Sequence, residues 1–288
     1  MLIVYQGDLH LRDTIPVNRI DNYRGVQFDK LKQLIGFTNQ HGATLLLGGD
    51  IFDTYKVSAE TVNQTNEILL TCNQDIYAVM GQHDVPYHDM DLMKSPIHSL
   101  VLSGALMVEN NYSVWVNDVI IHFCGWSDRP PNISYPEVTN ILLGHISVFN
   151  AIPHYWKGEG YTPNTLRKKY PGFDWYLCGD IHNCLHDKNV IVSGSMMRSG
   201  IDQKDFNPRA YLINTETSHA EPLFYKIDAE VFNTPKDKKV EDLKLEKLIS
   251  ALKNTAVGKR TYKRDCLSLA SEDEPVRIII EEILDDVD

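Results

Sequence analysis

No run in the 288 residues approaches the ~20 consecutive apolar positions that a membrane-spanning helix needs. The start, Met1-Leu2-Ile3-Val4-Tyr5, lacks the basic opening and long apolar core of a secretion signal. A soluble, cytoplasmic chain with no membrane partner is the expectation. Cysteine is scarce: Cys72, Cys124, Cys178, Cys184 and Cys266 are scattered, odd in number and include no Cys-x-x-Cys pair, which argues for a reducing compartment. Positive charge is in deficit, with 28 Lys and Arg against 39 Asp and Glu, a net of −11. That balance opposes nonspecific nucleic-acid binding by the surface as a whole. It leaves room for a local basic path, or for metal ions that neutralise acidic side chains.

With 43% hydrophobic residues the chain can bury one large core and still carry a small second unit. Its organising stretch is Leu45-Leu46-Leu47-Gly48-Gly49-Asp50-Ile51-Phe52-Asp53, an apolar run that stops at two glycines and a carboxylate. Such a run fits a parallel strand covered on both faces, and open α/β sheets bind ligands beyond the carboxyl ends of these strands. Taken alone, Gly-Gly-Asp also reads as a turn with a capping Asp. Four further strands end the same way: Leu2 to Tyr5 runs into Gly7-Asp8-Leu9-His10, Ile76 to Met80 into Gly81-Gln82-His83-Asp84, Ile141 to Leu143 into Gly144-His145, and Trp175 to Cys178 into Gly179-Asp180-Ile181-His182.

Each block carries its own chemistry. Strand side chains alternate with period two, so Asp8 and His10 are expected to point the same way and form half of a divalent-ion site; Asp180 and His182 repeat the logic. Two such pairs suggest two metals. Gln82 offers a carbonyl oxygen to a hard cation, while His83, with Asp84 orienting or charging its ring, can act on a phosphate oxygen. His122 alternates with apolar neighbours and reads as a sheet histidine rather than a ligand. Arg12, His88 and His154 lie in loops where they could touch substrate, and Arg198, Lys204 and Arg209 could hold phosphates.

Between the blocks, Leu31, Leu34, Ile35 and Thr38 stand at helical spacing and are closed by His41-Gly42; a second helix starts at Ser58 and presents Val62, Ile68 and Leu69. Val114 to Val116 and Val119 to Phe123, joined by Asn117-Asp118, read as a hairpin. Ile191 to Ser195 and Tyr211 to Asn214 read as closing strands. The pattern is α/β, with a main domain over residues 1–230 and a small charged appendage over 231–288. From Lys236 to Arg264 there are ten Lys or Arg against four Asp or Glu, and from Asp265 onward one against nine. Leu245, Leu248, Ile249 and Leu252 mark a helix in the basic part, and Ser271 opens another that leads into Val276 to Val287.

In this order the five blocks resemble the calcineurin-like metallophosphoesterases, whose motifs read Asp-x-His, Gly-Asp-x-x-Asp, Gly-Asn-His-Asp/Glu, Gly-His and Gly-His-x-His. The resemblance covers roughly Met1 to Asn214, and within the superfamily it points to SbcD-type DNA nucleases in a compact bacterial or phage version. It implies a four-layer αββα sandwich with a small C-terminal α or α/β appendage. It also implies one metal held by Asp8, His10, Asp50 and His182, and a second by Asp50, Gln82, His145 and Asp180, with His83 and Asp84 as the catalytic pair. Gln82 replaces the family's Asn and Asp180 its first His; both offer oxygen, which favours manganese or magnesium over zinc. The activity implied is hydrolysis of phosphodiesters by a metal-activated water, as a DNA exonuclease or endonuclease of a repair or recombination complex. Its implied partners are DNA, an SbcC-type ATPase gripping the C-terminal helices, and a second copy in a homodimer. Two other readings stand beside this one: a phosphodiesterase or phosphatase on a small molecule or phosphoprotein, and a weakly active binding subunit altered at Gln82 and Asp180.

Overall fold

The computed structural model describes residues 1–133, 135–227 and 231–233, the side chain of His88 excepted. The chain divides into two compact units, Met1–Thr234 and Pro235–Asp288, and every described residue belongs to the first. The expected helices around Leu245 and Val276 therefore lie outside the described residues.

The first unit opens with β1 (Leu2–Gln6), α1 (Tyr23–His41), β2 (Thr44–Leu47), α2 (Ala59–Leu69), β3 (Ile76–Ala78), α3 (Ile97–Leu102) and β4 (Met107–Val108). Then come β5 (Tyr112–Val116), β6 (Val119–Cys124), β7 (Thr139–Gly144), α4 (Pro163–Lys169), β8 (Trp175–Cys178), β9 (Leu185–Asp187) and β10 (Val190–Val192), before β11 (Arg209–Asn214) and β12 (His219–Phe224) close the order. They form two six-stranded mixed sheets, ordered β12-β11-β1-β2-β3-β4 and β5-β6-β7-β8-β10-β9. In the first, β1 to β4 run parallel, β11 is antiparallel to β1, and the edge strand β12 is antiparallel to β11. In the second, β6, β7, β8 and β10 are parallel, with β5 and β9 antiparallel at the edges.

Side-chain alternation assigns the layers. Ile3, Tyr5 and Leu46 from the first sheet pack with Ile121, Phe123, Ile141, Leu143 and Leu177 from the second, forming a core between the sheets. Val4, Leu45 and Leu47, one position away, face Leu31, Leu34 and Ile35 of α1 and Ile68 of α2. On the far side, Leu142, Tyr176 and Val192 meet Leu166 of α4. The result is an α/β sandwich with helices outside both sheets, as expected from burial on both faces of parallel strands.

Local chemistry explains the helix ends. The N–H of Gly42, at φ 58°, bonds back to Asn39, so glycine closes α1 in the left-handed conformation that a side chain disfavours. Ser58 caps α2, its hydroxyl accepting from the Thr61 N–H. The β5–β6 hairpin turns at Asn117, φ 54°. His122 is the satisfied sheet histidine expected, bonded through its two ring nitrogens to Ser113 and Asn140. No helix among the described residues is long and apolar enough to cross a membrane.

Candidate metal centre

The site gathers at the carboxyl ends of β1, β2 and β3 in one sheet and of β7 and β8 in the other. β1 stops at Gln6, so Asp8 and His10 sit in the following loop rather than on the strand, and the alternation expected of Asp-x-His does not operate. They converge because His10 turns in the left-handed region at φ 48°; Asp50 does the same at φ 47° and Asp180 at φ 79°. Two loops are zipped together there: Leu9 N–H and His10 N–H both donate to the Asp50 carbonyl, at 3.1 and 3.0 Å, and Leu11 N–H donates to Ile51. Below them, the Gln6 amide donates to the Ser193 hydroxyl and the Gly194 carbonyl, tying the end of β1 to the end of β10.

Asp50 is central. Its Oδ1 accepts from the His83 backbone N–H at 2.9 Å, and its Oδ2 lies 3.4 Å from His145 Nε2, 3.6 Å from His10 Nε2 and 4.0 Å from His83 Nε2. Gly81 must be glycine for this packing, since a Cβ there would fall 2.0 Å from Asp50 Oδ1. Asp8, His10 and His182 can bring one donor atom each within 4.8 Å of one another, and so can Asp8, Asp50 and His145. Asp180 and Gln82 flank the second group: the Gln82 amide N–H donates to Asp180 Oδ1 at 2.9 Å, and the Ser147 hydroxyl donates to Oδ2.

The donor set fits divalent cations. Asp8 Oδ2, Gln82 Oε1 and His145 Nε2 are among the buried side-chain atoms that have no hydrogen-bond partner. Leaving such atoms unpaired is costly unless a ligand or ion meets them. The His145 Nδ1–H donates to the Gly48 carbonyl at 2.7 Å, which fixes the ring orientation and turns Nε2 toward Asp50. His10 and His182 bring their Nε2 atoms to 2.9 Å of each other, an approach of two nitrogens that calls for a shared proton or cation.

Electrostatics agree. Burial opposes the charged form of His145, yet the nearby Asp50, Asp8 and Asp180 carboxylates outweigh it and push its pKa up to about 10 in the metal-free chain. His10 is raised too, burial again being overcome, here by contact with Asp53 and the charges of Asp50 and Asp8. His182 is lowered, by burial of its ring and then by His10. Asp50 lies well below the ordinary carboxylate range, its burial outweighed by His145, His10 and His83. A pocket whose carboxylates raise His145 and His10 in this way holds excess negative charge that a divalent ion can neutralise.

His83 stays half exposed, with its Nδ1–H donating to the Asp53 carbonyl at 2.9 Å, so Nε2 faces the centre. Asp84 is not its orienting partner, contrary to the sequence expectation. Its fully buried carboxylate instead accepts from Phe52 N–H at 3.0 Å and Gly81 N–H at 2.9 Å, pinning the β2 and β3 loops together. Asp53 was left out of the sequence candidates, although it closes the Gly-Asp-x-x-Asp block: its carboxylate lies 3.4 Å from His10 Nδ1 and 3.3 Å from Arg12. Ser147 was missed as well, because a lone Ser two positions past Gly-His carries no signal of its own.

Of the substrate candidates, Arg12 borders the site through Asp53. Arg198 does not serve: it is 4% exposed, donates to the Lys204 carbonyl and lies over the Phe232 ring, so packing occupies it. Lys204 is exposed beside it, and Arg209 donates to the Asn207 carbonyl and lies against Phe224. His154 is exposed and stacks edgewise on Tyr155, while the His88 side chain lies outside the described residues. A cleft of about 460 Å³ opens beside Gln82, His145 and Asp180 and runs between Trp126 and Trp156.

Comparison with known proteins follows the same lines. Exonuclease subunit 1 of Enterobacteria phage T4 is 26% identical over 243 residues, which span 77% of this chain and 67% of that protein. A solved structure described as a novel archaeal phosphodiesterase covers 78% of this chain and all of its own, at 13% identity and a TM-score of 0.43, a likeness too slight to bear on the reading. Residues 1–184 match the family model of the calcineurin-like phosphoesterases. With more than half of its length inside that match and a cluster of Asp and His side chains at the expected strand ends, the chain belongs to the calcineurin-like phosphoesterases, metal-dependent phosphoester hydrolases with a dinuclear site.

Proposed function

We propose that this phosphoesterase is a DNA nuclease subunit that hydrolyses phosphodiesters as exonuclease, endonuclease or both. The observation that carries the reading is the joint one: buried, unpartnered donors converge on Asp50, and the chain shares 26% identity across most of its length with an exonuclease subunit. In this reading Asp8, His10, Asp50 and His182 hold one divalent ion, and Asp50, Gln82, His145 and Asp180 the other. When bound, the ions would supply an activated water and neutralise charge on the phosphate, a role for which the oxygen-rich second half suits manganese or magnesium.

The chain's own groups have separate tasks. Asp50 Oδ2 lies within 3.6 Å of both His10 and His145, so Asp50 would serve both ions. His83, held by the Asp53 carbonyl, presents Nε2 to a bound phosphate and can stabilise its charge or protonate the leaving oxygen. No Ser or Cys nucleophile takes part. Asp84 acts through the backbone, keeping the Asp50 and His83 loops in register. Gln82 spends its N–H on Asp180 and keeps its buried Oε1 free for a cation, which favours an adapted site over a decayed binding subunit.

The proposal extends to organisation: residues 1–230 carry the chemistry, and the charged 231–288 segment engages an SbcC-type ATPase, with a second copy completing a homodimer. The test is incubation with manganese, with magnesium and with chelator on linear duplex DNA, single-stranded DNA and a generic phosphodiester, beside Asp50→Ala. Manganese-dependent DNA degradation that the variant loses is the expected result. Cleavage of the generic ester with DNA left intact, even with the ATPase added, would move the assignment to a small-molecule phosphodiesterase.

A further inference from the structure

The buried stripe of α1 changes character along the helix. Toward the C-terminal end it is apolar or closed on itself, with Leu31, Leu34 and Ile35 in the core and the Thr38 hydroxyl donating to the Leu34 carbonyl. Continued toward the N-terminus at helical spacing, the stripe consists of Tyr23, Gln27 and Lys30, which are 0%, 0% and 3% exposed. Burying a glutamine and a lysine there carries a desolvation cost that leucine or methionine would not, and hydrogen bonds must offset it.

Those bonds run to the loops of the metal centre. Gln27 grips the backbone of Arg12 from both sides: its Oε1 accepts from the Arg12 N–H at 3.1 Å, and its Nε2–H donates to the Arg12 carbonyl at 2.8 Å. Arg12 stands two residues past His10, and Leu11 between them bridges to Phe52 in the loop that carries Asp50. Lys30 Nζ donates to the Met196 carbonyl at 2.9 Å. The Met196 N–H donates in turn to the Asp8 carbonyl at 2.8 Å, and the neighbouring Ser195 N–H to the His182 carbonyl at 3.0 Å. Tyr23 shares a hydrogen bond of 3.0 Å with Ser199, farther along the same loop.

Asp8, His10 and His182 belong to one ion in the assignment above, and they can bring one donor atom each within 4.8 Å of one another. Gln82, His145 and Asp180, assigned to the other ion, follow β3, β7 and β8. We infer that Gln27 and Lys30 are positioning residues for the first ion alone. Gln27 sets His10 through the Arg12 backbone, and Lys30 sets Asp8 and His182 through the 195–196 segment. The inference rests on the two-ion assignment and adds that the two halves of the centre are held by separate supports.

The experiment uses the full chain with manganese alone, titrated by calorimetry and followed by electron paramagnetic resonance. Wild type is expected to bind a pair of ions and to show the broadened spectrum of coupled manganese. Gln27→Met and Lys30→Met each keep the approximate length of the side chain and lose its bonds. In either variant one ion should bind roughly tenfold to a hundredfold more weakly, the range for loss of a group that supports metal ligands, while the other keeps its affinity. At manganese concentrations that fill only the tighter site, the variants should show the sharp hyperfine pattern of an isolated ion. That retained ion also reports a folded chain, and because the two variants break separate bonds, each makes the comparison without the other. Both ions weakened to the same extent, or neither, overturns the inference, since a general loosening of the core does not choose between them. Wild type that binds a single ion or none overturns the two-ion assignment, and this inference with it.

Discussion

Replacing Asp84 with asparagine should reduce stability in a way that depends on pH with a definite sign. The carboxylate is 0% exposed and accepts from two backbone N–H groups, of Phe52 at 3.0 Å and Gly81 at 2.9 Å. An amide offers one oxygen and turns its own N–H₂ toward the other donor, so one buried N–H loses its acceptor at a cost of about 1–3 kcal/mol. Alanine strips both, about 2–6 kcal/mol before any cavity is counted. Burial, then the Asp50 charge, pushes the Asp84 pKa up to about 7 in the metal-free chain, from an ordinary 3.8. Between those values the native state keeps a proton that the unfolded chain has released, so the group's contribution is full below the lower pKa and is lost as the pH rises through the upper one. Asparagine does not titrate. The stability gap between wild type and Asp84→Asn should therefore narrow from about pH 5 to about pH 7.5. Urea unfolding followed by circular dichroism, in chelator at the two pH values, measures it. A gap that stays constant or widens would refute the reasoning, and so would an Asn variant as stable as wild type at the lower pH.

Manganese at a hundredfold excess over its Kd should stabilise the chain by about 2.7 kcal/mol, seen as a rise in Tm that chelator reverses. Asp50→Ala should abolish the rise, because it removes the oxygen shared by His10 and His145; a Tm indifferent to metal in wild type would contradict the centre. Gly49 has φ 96°, and a Cβ there would lie 2.5 Å from His145 Nδ1. Gly49→Ala should thus cost about 1–3 kcal/mol in thermal unfolding and weaken metal binding in calorimetry, with an unchanged metal isotherm counting against it. Asp13 accepts from the Ser58 N–H at 2.7 Å and from the Thr61 hydroxyl at 2.6 Å, contacts that hold its pKa below the ordinary value despite some burial. Because the site is largely exposed, Asp13→Ala should cost under about 1 kcal/mol at neutral pH, and the difference should vanish as acid protonates the native carboxylate.

The elements readable in the sequence were those whose signals are local. Leu31, Leu34, Ile35 and Thr38 are all buried in α1, and Ser58 caps α2 as its position implied. Other elements gave no such signal, α4, β9 and β12 among them. The seven-residue α4 owes its stability to Leu166 packing on the second sheet and to a Thr162 cap, too little for a periodic pattern. β9 has only three residues. β12 contains Pro222 and alternates weakly because it is an edge strand, where a missing N–H is tolerated. Arg198 misled for a related reason, since composition cannot tell a guanidinium that meets a carbonyl and a Phe ring from one that meets a phosphate.

The candidate ligands were visible as residue types, but the geometry that unites them was not. Period-two alternation cannot aim Asp8 with His10, because neither is on a strand. What aims the set is backbone turned into the left-handed region at His10, Asp50 and Asp180, each at a cost of order 1–3 kcal/mol for a residue with a side chain. Asp and His tolerate that region better than most residues, so the types that ligate are also types that can make the turn. The zipped contacts of Leu9 and His10 with the Asp50 carbonyl, and the clasp of Asp84 on Phe52 and Gly81, brace those turns. Losing the Asp84 clasp should accordingly weaken metal binding even though Asp84 itself touches no cation.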